Sequence, residues 1–417
     1  MAGIDLSDRS KVLAIIGQGY VGLPLAMAAV DAGWSVIGIE KSASRVAQLN
    51  SGSSPVEDIS DARLARAIAA NKFLASNDPA EVSAASVVTI CVPTPLDEAR
   101  NPDLELLESA IRDVAPHLSS RTLLVSESTS YPGTLRNEVI PIVEKNRSTG
   151  TTQLFFATAP ERVNPGDLVW NQKNTPRLVS GIDKESHEKA LDFYGSICDA
   201  VISAETPEIA EAAKLLENTF RLVNIGLINE FTKLCGPAGI DVNKVVTAAA
   251  SKPYGFMPFR PGVGVGGHCI PVDPLYLTWW AKQNNLTSPM VELAEKTNTE
   301  MHKYVADRAL ELVLSNKEKA RVLLLGVAYK AGVSDVREAP VSHLRKHLTH
   351  QGHAVEWIDP LVISWEDTNP TKELEGFDVA ILAVNQPGLP IADLQRIGTP
   401  ILDCTNSYPG QNGIQTL

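Results

Sequence analysis

The chain has 417 residues, of which 44% are hydrophobic and 21% are charged, and its formal net charge is −12. This composition is typical of a folded globular protein and excludes disorder over most of the chain. The negative charge excludes a non-specific nucleic-acid binder, which needs basic surface for phosphate contacts. A few local Lys and Arg residues would still suffice to bind a small anion.

The length of the chain predicts two or three domains of about 100–200 residues each. No segment has the roughly 20 uninterrupted apolar residues of a membrane span. The polar residues 1–11 lack the apolar core of a signal peptide. Five cysteines without a pairing pattern indicate reduced thiols. We therefore expect a cytoplasmic protein with no membrane or nucleic-acid partner.

The first motif is a strand, a glycine-rich turn, a helix and a second strand. Strand residues 12–16 precede Gly17-Gln18-Gly19-Tyr20-Val21-Gly22, and a second strand at 34–39 ends in Glu40. In this setting the Gly-x-Gly-x-x-Gly turn predicts a dinucleotide site, with the pyrophosphate on the helix N-terminus. Glu40 would accept hydrogen bonds from the adenosine ribose and repel a 2′-phosphate, which favours NAD over NADP.

Apolar strands and helical stretches alternate in the segment that follows. Strands are predicted at 87–92, 123–126 and 154–157, and helices at 61–70 and 104–115. This alternation indicates a parallel sheet that is buried on both faces and binds ligands at the carboxyl ends of its strands. Three polar segments fall at these ends: Pro93-Thr94-Pro95, Glu127-Ser128-Thr129 and Pro160-Glu161-Arg162. Pro, Ser and Thr are also ordinary loop residues, but the shared position favours a functional role.

Residues 207–235 have no strand signals and carry apolar residues at the spacing of one long helix. Lys214 and Asn218 lie four residues apart and therefore share one face of this helix. A solvated lysine beside a polar neighbour is the more common reason for such a pair, and a functional pair is the alternative. A long helix between two α/β units is also a natural axis for a dimer.

A glycine-rich loop leads to a cysteine. Residues 261–274 have the sequence Pro-Gly-Val-Gly-Val-Gly-Gly-His-Cys-Ile-Pro-Val-Asp-Pro. Glycines let the backbone approach a ligand, so the loop indicates that Cys269 is presented as a nucleophile, with Asp273 four residues later. An incidental cysteine in a flexible loop is the alternative. The adjacent His268 and Cys269 lack the spacing of a zinc site, and we predict no metal.

A second α/β unit follows predicted helices at 273–284 and 290–315. Its strands are expected at 321–326, 355–359, 379–384 and 401–403. No Gly-x-Gly-x-x-Gly follows the first of these strands, so we do not expect a dinucleotide to bind there in the same manner. Lys330 and Arg337 form a basic pair that is suited to holding an anion.

Taken together, these motifs resemble those of the UDP-glucose/UDP-N-acetylhexosamine 6-dehydrogenase family over nearly the whole chain. The resemblance implies two Rossmann-like, doubly wound parallel-sheet α/β domains joined by a long central helix, as the element pattern also indicates. We expect a NAD-binding domain at 1–205, a central helical domain with the cysteine loop at 206–310, and a UDP-sugar-binding domain at 311–417. The resemblance also implies a homodimer or a higher homo-oligomer.

The family reaction takes the C6 hydroxyl of a UDP-sugar through an aldehyde to a carboxylate with two NAD. By resemblance, Asp273 acts through a water, with help from Lys214, to remove the hydroxyl proton. Cys269 attacks the aldehyde, because its thiohemiacetal can lose a second hydride and become a thioester. Lys214 and Asn218 would stabilise the oxyanion.

Glu161 resembles the acid/base residue of thioester hydrolysis, and Thr129, or else Ser130, resembles the residue on the nicotinamide side. The implied cofactor-binding residues are Gly17, Gly19, Tyr20, Val21, Gly22, Glu40, Arg45, Pro93, Thr94 and Thr129. The implied substrate-binding residues are Glu161, Arg162, Lys214, Asn218, Arg260, Gly266, Lys330 and Arg337, and Arg260 could reach a neighbouring subunit.

The segment Gly267-His268-Cys269-Ile270-Pro271-Val272-Asp273-Pro274 resembles the N-acetylglucosamine-type members of the family. Val272 occupies a position where the UDP-glucose enzymes have a lysine. We expect NAD-dependent oxidation of UDP-N-acetylglucosamine for a surface polysaccharide. UDP-N-acetylmannosamine, UDP-N-acetylgalactosamine and UDP-glucose are alternative substrates, and a non-catalytic nucleotide-sugar sensor is the alternative from another class.

Overall fold

The structure, a computed structural model, describes residues 4–150, 152–163, 167, 169–313 and 318–417. It divides into two compact units. The first comprises Met1–Glu217 with Leu275–Trp280, and the second comprises Asn218–Pro274 with Ala281–Leu417. The three-domain division expected from the sequence stays a prediction.

The first unit is built on a sheet of eight strands among its described residues. In chain order these are β1 Val12–Ile16, β2 Ser35–Ile39, β3 Phe73–Ser76, β4 Val87–Ile90, β5 Leu123–Ser126, β6 Phe155–Thr158, β7 Arg177–Gly181 and β8 Val201–Ser203. They lie in the order β3-β2-β1-β4-β5-β6-β7-β8. The strand order therefore reverses between β1 and β4, which is where ligands bind in sheets of this kind.

Helices cover both faces of this sheet: α1 Gly22–Asp31, α2 Ala43–Asn50, α3 Asp61–Ala69, α4 Glu105–Val114, α5 Ile140–Asn146 and α6 Lys184–Gly195. All five residues of β1 are buried. Because side chains alternate along a strand, Leu13 and Ile15 enter one apolar cluster, while Val12, Ala14 and Ile16 enter the other. The expectation of a sheet buried on both faces is confirmed.

One pair of strands departs from the expected parallel arrangement. β6 and β7 are antiparallel, whereas the other neighbours in this sheet are parallel. The described residues between β6 and β7 include no helix, and a parallel connection needs a long crossover, usually a helix. The five strands predicted for this unit, β1, β2, β4, β5 and β6, are parallel to one another as expected, whereas β7 was not predicted.

The long helix predicted at 207–235 is α7, Pro207–Cys235, which begins in the first unit and ends in the second. Four more helices follow: α8 Val242–Ala250, α9 Asp273–Gln283, α10 Pro289–Thr299 and α11 Met301–Leu310. In the second unit Gly226 lets α7 approach α10, since a Cβ there would lie 3.2 Å from the Cα of Ala294.

The single helix expected at 290–315 is instead two helices that meet at Glu300. Asn298 and Thr299 have low helix propensity, and the Asn298 side chain bonds to α7 instead, donating to Leu222 O at 3.0 Å. α11 ends at Leu310. Residues 314 and 315 of the predicted helix lie outside the described residues.

The second unit carries a parallel sheet of five strands among its described residues: β9 Arg321–Leu325, β10 Ala354–Ile358, β11 Val379–Leu382, β12 Ile401–Asp403 and β13 Ile414–Thr416. Their order is β10-β9-β11-β12-β13, and α12 Val341–His350 and α13 Ile391–Ile397 complete the unit. The predicted fold class, two Rossmann-like units joined by a long helix, is confirmed. No helix in the described part of the chain is both long and apolar enough to cross a bilayer.

A buried carboxylate on α7 holds the segment that leads into α5. Glu211 is 2% exposed, and its carboxylate accepts hydrogen bonds from Gly133 N at 2.6 Å and Leu135 N at 2.9 Å. Burial raises the pKa of Glu211 from 4.5 to about 7, although these amides oppose the shift.

A carboxyl group whose pKa is higher in the folded than in the unfolded chain stabilises the fold below pH 4.5 and loses this contribution as the pH rises towards 7. The contribution is about 3 kcal/mol. We therefore expect the natural chain to lose folding stability between pH 5 and pH 8. Glu211→Gln, whose side chain does not ionise, should not show this loss. Thermal unfolding at both pH values measures this, with the exposed Glu105→Gln as control. An equal pH dependence in both variants would contradict the assignment.

Candidate active site

The turn after β1 has the geometry of a dinucleotide-binding turn. Gly17 has a φ of +93°, and a Cβ there would lie 2.7 Å from Cys91 O. A Cβ on Gly22 would lie 1.9 Å from Gly17 O, whereas Gly19 has nothing within 4 Å of its Cβ position. No side chain caps the first turn of α1, and uncapped helix amides are donors for phosphate. The turn is therefore tight at two glycines and open at the middle one.

Glu40 lies at the end of β2, as the motif requires. Its carboxylate accepts hydrogen bonds from Gln18 N at 3.3 Å and Ser42 N at 3.0 Å. These contacts hold the acid beside the turn, where a ribose would meet it. Tyr20 donates its hydroxyl hydrogen to Glu57 at 2.8 Å, and Arg45 is exposed in the first turn of α2. The residues present fit NAD.

The loops after β4 and β5 are joined to each other. Thr94 donates to Thr129 O at 2.7 Å, and Ser128 donates to Val92 O at 2.7 Å. Thr129 is half-buried, whereas Ser130 is buried, which favours Thr129 as the residue with access to a ligand. The predicted cofactor-binding residues Thr94 and Thr129 are thus joined at the carboxyl edge of the sheet, and Pro93 directly precedes Thr94.

Two aromatic residues of α9 pack on these same loops within the first unit. The buried Tyr276 donates to Pro95 O at 3.0 Å. The rings of Trp279 and Tyr131 lie 4.9 Å apart between centroids. Sequence reasoning assigned neither residue of α9 a role at this site, although aromatic side chains three residues apart on a helix share a face.

Three more predicted residues belong to the first unit. Lys214 is only 5% exposed, so the alternative of a solvated lysine is wrong. Glu161 is buried, and its carboxylate accepts a hydrogen bond from Val163 N. Arg162 forms an ion pair with Glu217 at 2.6 Å, which gives it a partner within the protein.

The second unit contains Asn218, Asp273 and Cys269. The buried Asn218 amide donates to the Asp273 carboxylate and accepts from Arg221. Asp273 N donates to Cys269 O at 2.8 Å, so the cysteine loop folds back on the first turn of α9. The Cys269 side chain is exposed and not in a disulfide. Sequence reasoning missed Arg221, three residues beyond Asn218 on the same helix face.

Two glycines of the cysteine loop are required for packing inside the second unit. A Cβ on Gly266 would lie 2.7 Å from Pro340, and a Cβ on Gly267 would lie 2.9 Å from the Tyr329 ring. Gly267 also has a φ of +87°. Their own unit therefore requires these glycines, and the expected approach of this loop to a ligand stays a prediction.

His268, which precedes Cys269, contacts an acidic residue of the α/β fold in the second unit. Its Nε2 lies 3.4 Å from Asp335 Oδ2, and Arg337 contacts the same carboxylate at 2.7 Å. Burial opposes ionisation of Asp335, but hydrogen bonds from Arg337 and His268 outweigh it and hold the pKa below the usual value. Asp335 therefore links the predicted substrate-binding Arg337 to the neighbour of Cys269.

The second unit also contains a cavity of about 230 Å³. Of the predicted substrate-binding residues, Arg260 and Gly266 line it, whereas Lys330 and Arg337 do not. Arg260 donates to Asn243 O at 2.8 Å and to Thr247 at 3.1 Å, so it contacts α8 of its own chain. In the described part of the chain no three His, Cys, Asp or Glu side chains are arranged to hold a metal ion.

The chain matches the UDP-glucose/GDP-mannose dehydrogenase family in three parts. The NAD binding domain matches residues 11–197, the central domain 208–300 and the UDP binding domain 323–408. Among similar proteins, UDP-N-acetyl-D-glucosamine 6-dehydrogenase of Pseudomonas aeruginosa is 34% identical over 357 residues, covering 84% of this chain and 83% of that protein.

A UDP-N-acetyl-D-mannosamine dehydrogenase of Methanococcus maripaludis is 33% identical over 355 residues, covering 84% of this chain and 80% of that protein. Among solved structures, UDP-D-ManNAc dehydrogenase of Pyrococcus horikoshii has a TM-score of 0.86 and 29% identity, covering 97% of this chain and 98% of that one. The relatives therefore include enzymes named for two different sugars.

Removal of the Glu40 carboxylate tests the dinucleotide site. We expect Glu40→Ala to weaken NAD binding by about 10- to 100-fold, because it loses hydrogen bonds to a charged acceptor. The KM for the sugar should change little, and discrimination against NADP should fall. Steady-state kinetics with each cofactor measure this, and Glu105→Ala on the exposed face of α4 is the control. An unchanged affinity for NAD would remove Glu40 from the site.

Proposed function

The chain belongs to the UDP-glucose/GDP-mannose dehydrogenase family, and on this premise we propose that it oxidises C6 of UDP-N-acetylglucosamine to a carboxylate. The main observation behind this proposal is the exposed Cys269. Its backbone carbonyl accepts a hydrogen bond from Asp273 N, and the Asp273 carboxylate accepts one from Asn218. A thiol is the nucleophile that a two-stage oxidation from alcohol to acid requires.

NAD is the cofactor, as the match to the NAD binding domain implies. Gly17, Gly19, Gly22 and Glu40 would hold it, and when bound it would supply the hydride acceptor for each of the two oxidations at C6. The packing of Gly17 and Gly22, together with the open backbone at Gly19, supports this assignment.

In the first oxidation Asp273 takes the C6 hydroxyl proton through a water. Asn218 supports this role, because its amide donates to the carboxylate and keeps it oriented. Lys214 supplies positive charge for the developing oxyanion, and its burial strengthens that effect relative to a lysine in water. The product of this stage is the C6 aldehyde.

In the second oxidation the Cys269 thiolate adds to the aldehyde carbon. The resulting thiohemiacetal oxyanion loses its C6 hydrogen as a hydride, its C–O⁻ group becomes a carbonyl, and the product is a thioester. Glu161 deprotonates the water that attacks the thioester carbonyl, the C–S bond breaks, and the thiolate is restored. One sugar thus releases two hydrides, and the thiol is regenerated.

The cavity in the second unit is our candidate site for part of the UDP moiety. Arg260 brings a guanidinium to its wall, and this group suits a diphosphate. The match of residues 323–408 to the UDP binding domain supports a UDP-sugar. The predicted roles of Lys330 and Arg337 in binding UDP stay predictions, since neither lines this cavity.

UDP-N-acetylmannosamine is the second candidate substrate, because relatives named for each sugar are equally similar, at 34% and 33% identity. The two sugars differ only in the configuration at C2, and an enzyme distinguishes them by the shape of its sugar-binding pocket. We further propose that the reaction takes place in the cytoplasm and supplies an acidic amino sugar for a surface polysaccharide. None of the five cysteines, all of which lie in the described part of the chain, is in a disulfide, and this fits a reducing compartment.

We propose that the protein is a dimer with α7 at its axis. One face of α7 carries exposed apolar residues that are 38% to 66% exposed: Ile209, Leu216, Phe220, Leu227, Phe231 and Leu234. At about 100° and 1.5 Å per residue, they lie within about 60° of each other along about 38 Å. A two-fold axis pairs such a face with itself, so a second copy is its simplest complement.

The stoichiometry of NADH tests the proposed reaction and names the sugar. We expect about two NADH per UDP-N-acetylglucosamine at limiting substrate, because the thioester route removes two hydrides. UDP-N-acetylmannosamine, UDP-N-acetylgalactosamine and UDP-glucose are measured in parallel. Cys269→Ser should still bind the sugar but form no acid, whereas the buried Cys235→Ser should keep the stoichiometry. Full acid production by Cys269→Ser, or no NADH from any sugar, would contradict the proposal.

A charge in the apolar stripe tests the dimer. We expect Leu227→Glu to weaken self-association by at least about 100-fold, because each copy would bury a carboxylate against apolar side chains. Sedimentation velocity measures the mass, and Ile363→Glu, at a side chain that is 88% exposed, is the control. A dimer that persists in Leu227→Glu at micromolar concentration would exclude α7 as the axis.

A further inference from the structure

A buried ion pair lies beneath the loops that carry Thr129 and Glu161. Glu127 follows β5 directly and is 1% exposed, and Arg177, the first residue of β7, is 3% exposed. Arg177 Nη1 lies 3.2 Å from Glu127 Oε2. In contrast, the pair of Arg112 and Glu105 on α4 lies at the surface.

Both members of the pair have further partners. Tyr194 donates its hydroxyl hydrogen to the other oxygen of Glu127. Arg177 Nη2 donates to Gln172 at 2.5 Å, and its guanidinium lies 5.2 Å from the centroid of the Tyr194 ring. Each oxygen of the carboxylate and both terminal nitrogens of the guanidinium are therefore used inside the protein.

The pair connects the ends of three strands. Glu127 N donates to Ile90 O at the end of β4, at 3.0 Å. Arg177 Nη1 also donates to Ala159 O, just after β6, at 3.4 Å. Glu161 N donates to Glu127 O at 3.4 Å. The backbone of Glu161 is thus held by Glu127, and Arg177 holds the segment that leads to it.

Stability alone does not account for this arrangement. Removal of two charges from water is costly, and replacement of a buried ion pair by neutral side chains of similar volume is often neutral or stabilising. The charge of Arg177 also faces more than its partner. Burial lowers the pKa of Arg177, but the charges of Glu127, Tyr194, Glu161 and Cys198 outweigh it and raise the pKa, so the guanidinium interacts electrostatically with two buried carboxylates.

We propose that Glu127 and Arg177 are positioning residues that hold Glu161 in place for thioester hydrolysis. This inference rests on the proposed function, in which Glu161 activates the water that attacks the thioester carbon while the C–S bond to Cys269 breaks. Neither residue touches the substrate in this scheme. They act through the backbone, since Glu161 N donates to Glu127 O and Arg177 donates to Ala159 O in the segment before Glu161.

The double variant Glu127→Gln/Arg177→Met tests the proposal, because it removes both charges and preserves side-chain volume. We expect kcat to fall about 10- to 100-fold, with the KM for sugar and NAD changed less than threefold and no loss in thermal midpoint. A sugar adduct on Cys269 should accumulate, and intact-protein mass spectrometry of quenched samples detects it. Arg136→Met/Glu208→Gln, at an exposed ion pair of the same unit, is the matched control and should turn over normally.

Arg177→Lys provides a second test if the double variant does not fold. It keeps the positive charge but loses the forked hydrogen bonds to Ala159 and Gln172, so a smaller fall in kcat with the same adduct is expected. Normal turnover in either folded variant, or a lower kcat without an adduct, would overturn the positioning role. Absence of two NADH per sugar in the natural protein would instead overturn the proposed function, so the two failures are distinguishable.

Discussion

Burial of both faces of the first sheet leaves the strand ends as the place for polar chemistry. Strands such as β1 are apolar along their whole length because each side chain enters one of two cores. Acidic residues follow the strands instead: Glu40 after β2, Glu127 after β5 and Glu161 shortly after β6. Since neighbouring parallel strands end at one edge, these three carboxylates are gathered there without any being close in sequence. The glycine-rich turn after β1 and the Glu127–Arg177 pair both lie at strand ends because the faces of the sheet are buried.

The two α/β units use the same strand-end position differently. Glu40 accepts from the turn at Gln18 N and from Ser42 N, and it stays half-buried at the rim. Its counterpart after β10, Asp359, is 2% exposed and accepts from Val327 N and Ala328 N, at 2.8 and 3.2 Å. The Asp359 carboxylate is therefore already bound by backbone amides of the loop that follows β9. This difference supports the prediction that a dinucleotide does not bind to the second unit in the same manner as to the first.

The cysteine loop shows how packing and chemistry share the same residues. Gly266 and Gly267 lie against Pro340 and Tyr329, and His268 contacts Asp335. These contacts hold the residues that precede Cys269, while Cys269 itself remains exposed. These contacts support the proposed role of Cys269 as a nucleophile, since a loop held by its own unit needs little ordering when a substrate binds.

The sequence by itself determined what depends on neighbours along the chain. The glycine turn and Glu40 meet across 22 residues, and apolar runs alternating with helices were enough to predict two parallel-sheet units. The tertiary structure alone decided the pairing of Asn218 with Asp273 across 55 residues and of Glu127 with Arg177 across 50. It also decided the burial of Lys214, the antiparallel β7 and the contacts of Arg221 and Tyr276. Periodicity reports which face of an element is apolar, but contacts between distant segments follow from strand order and crossovers, which periodicity does not encode.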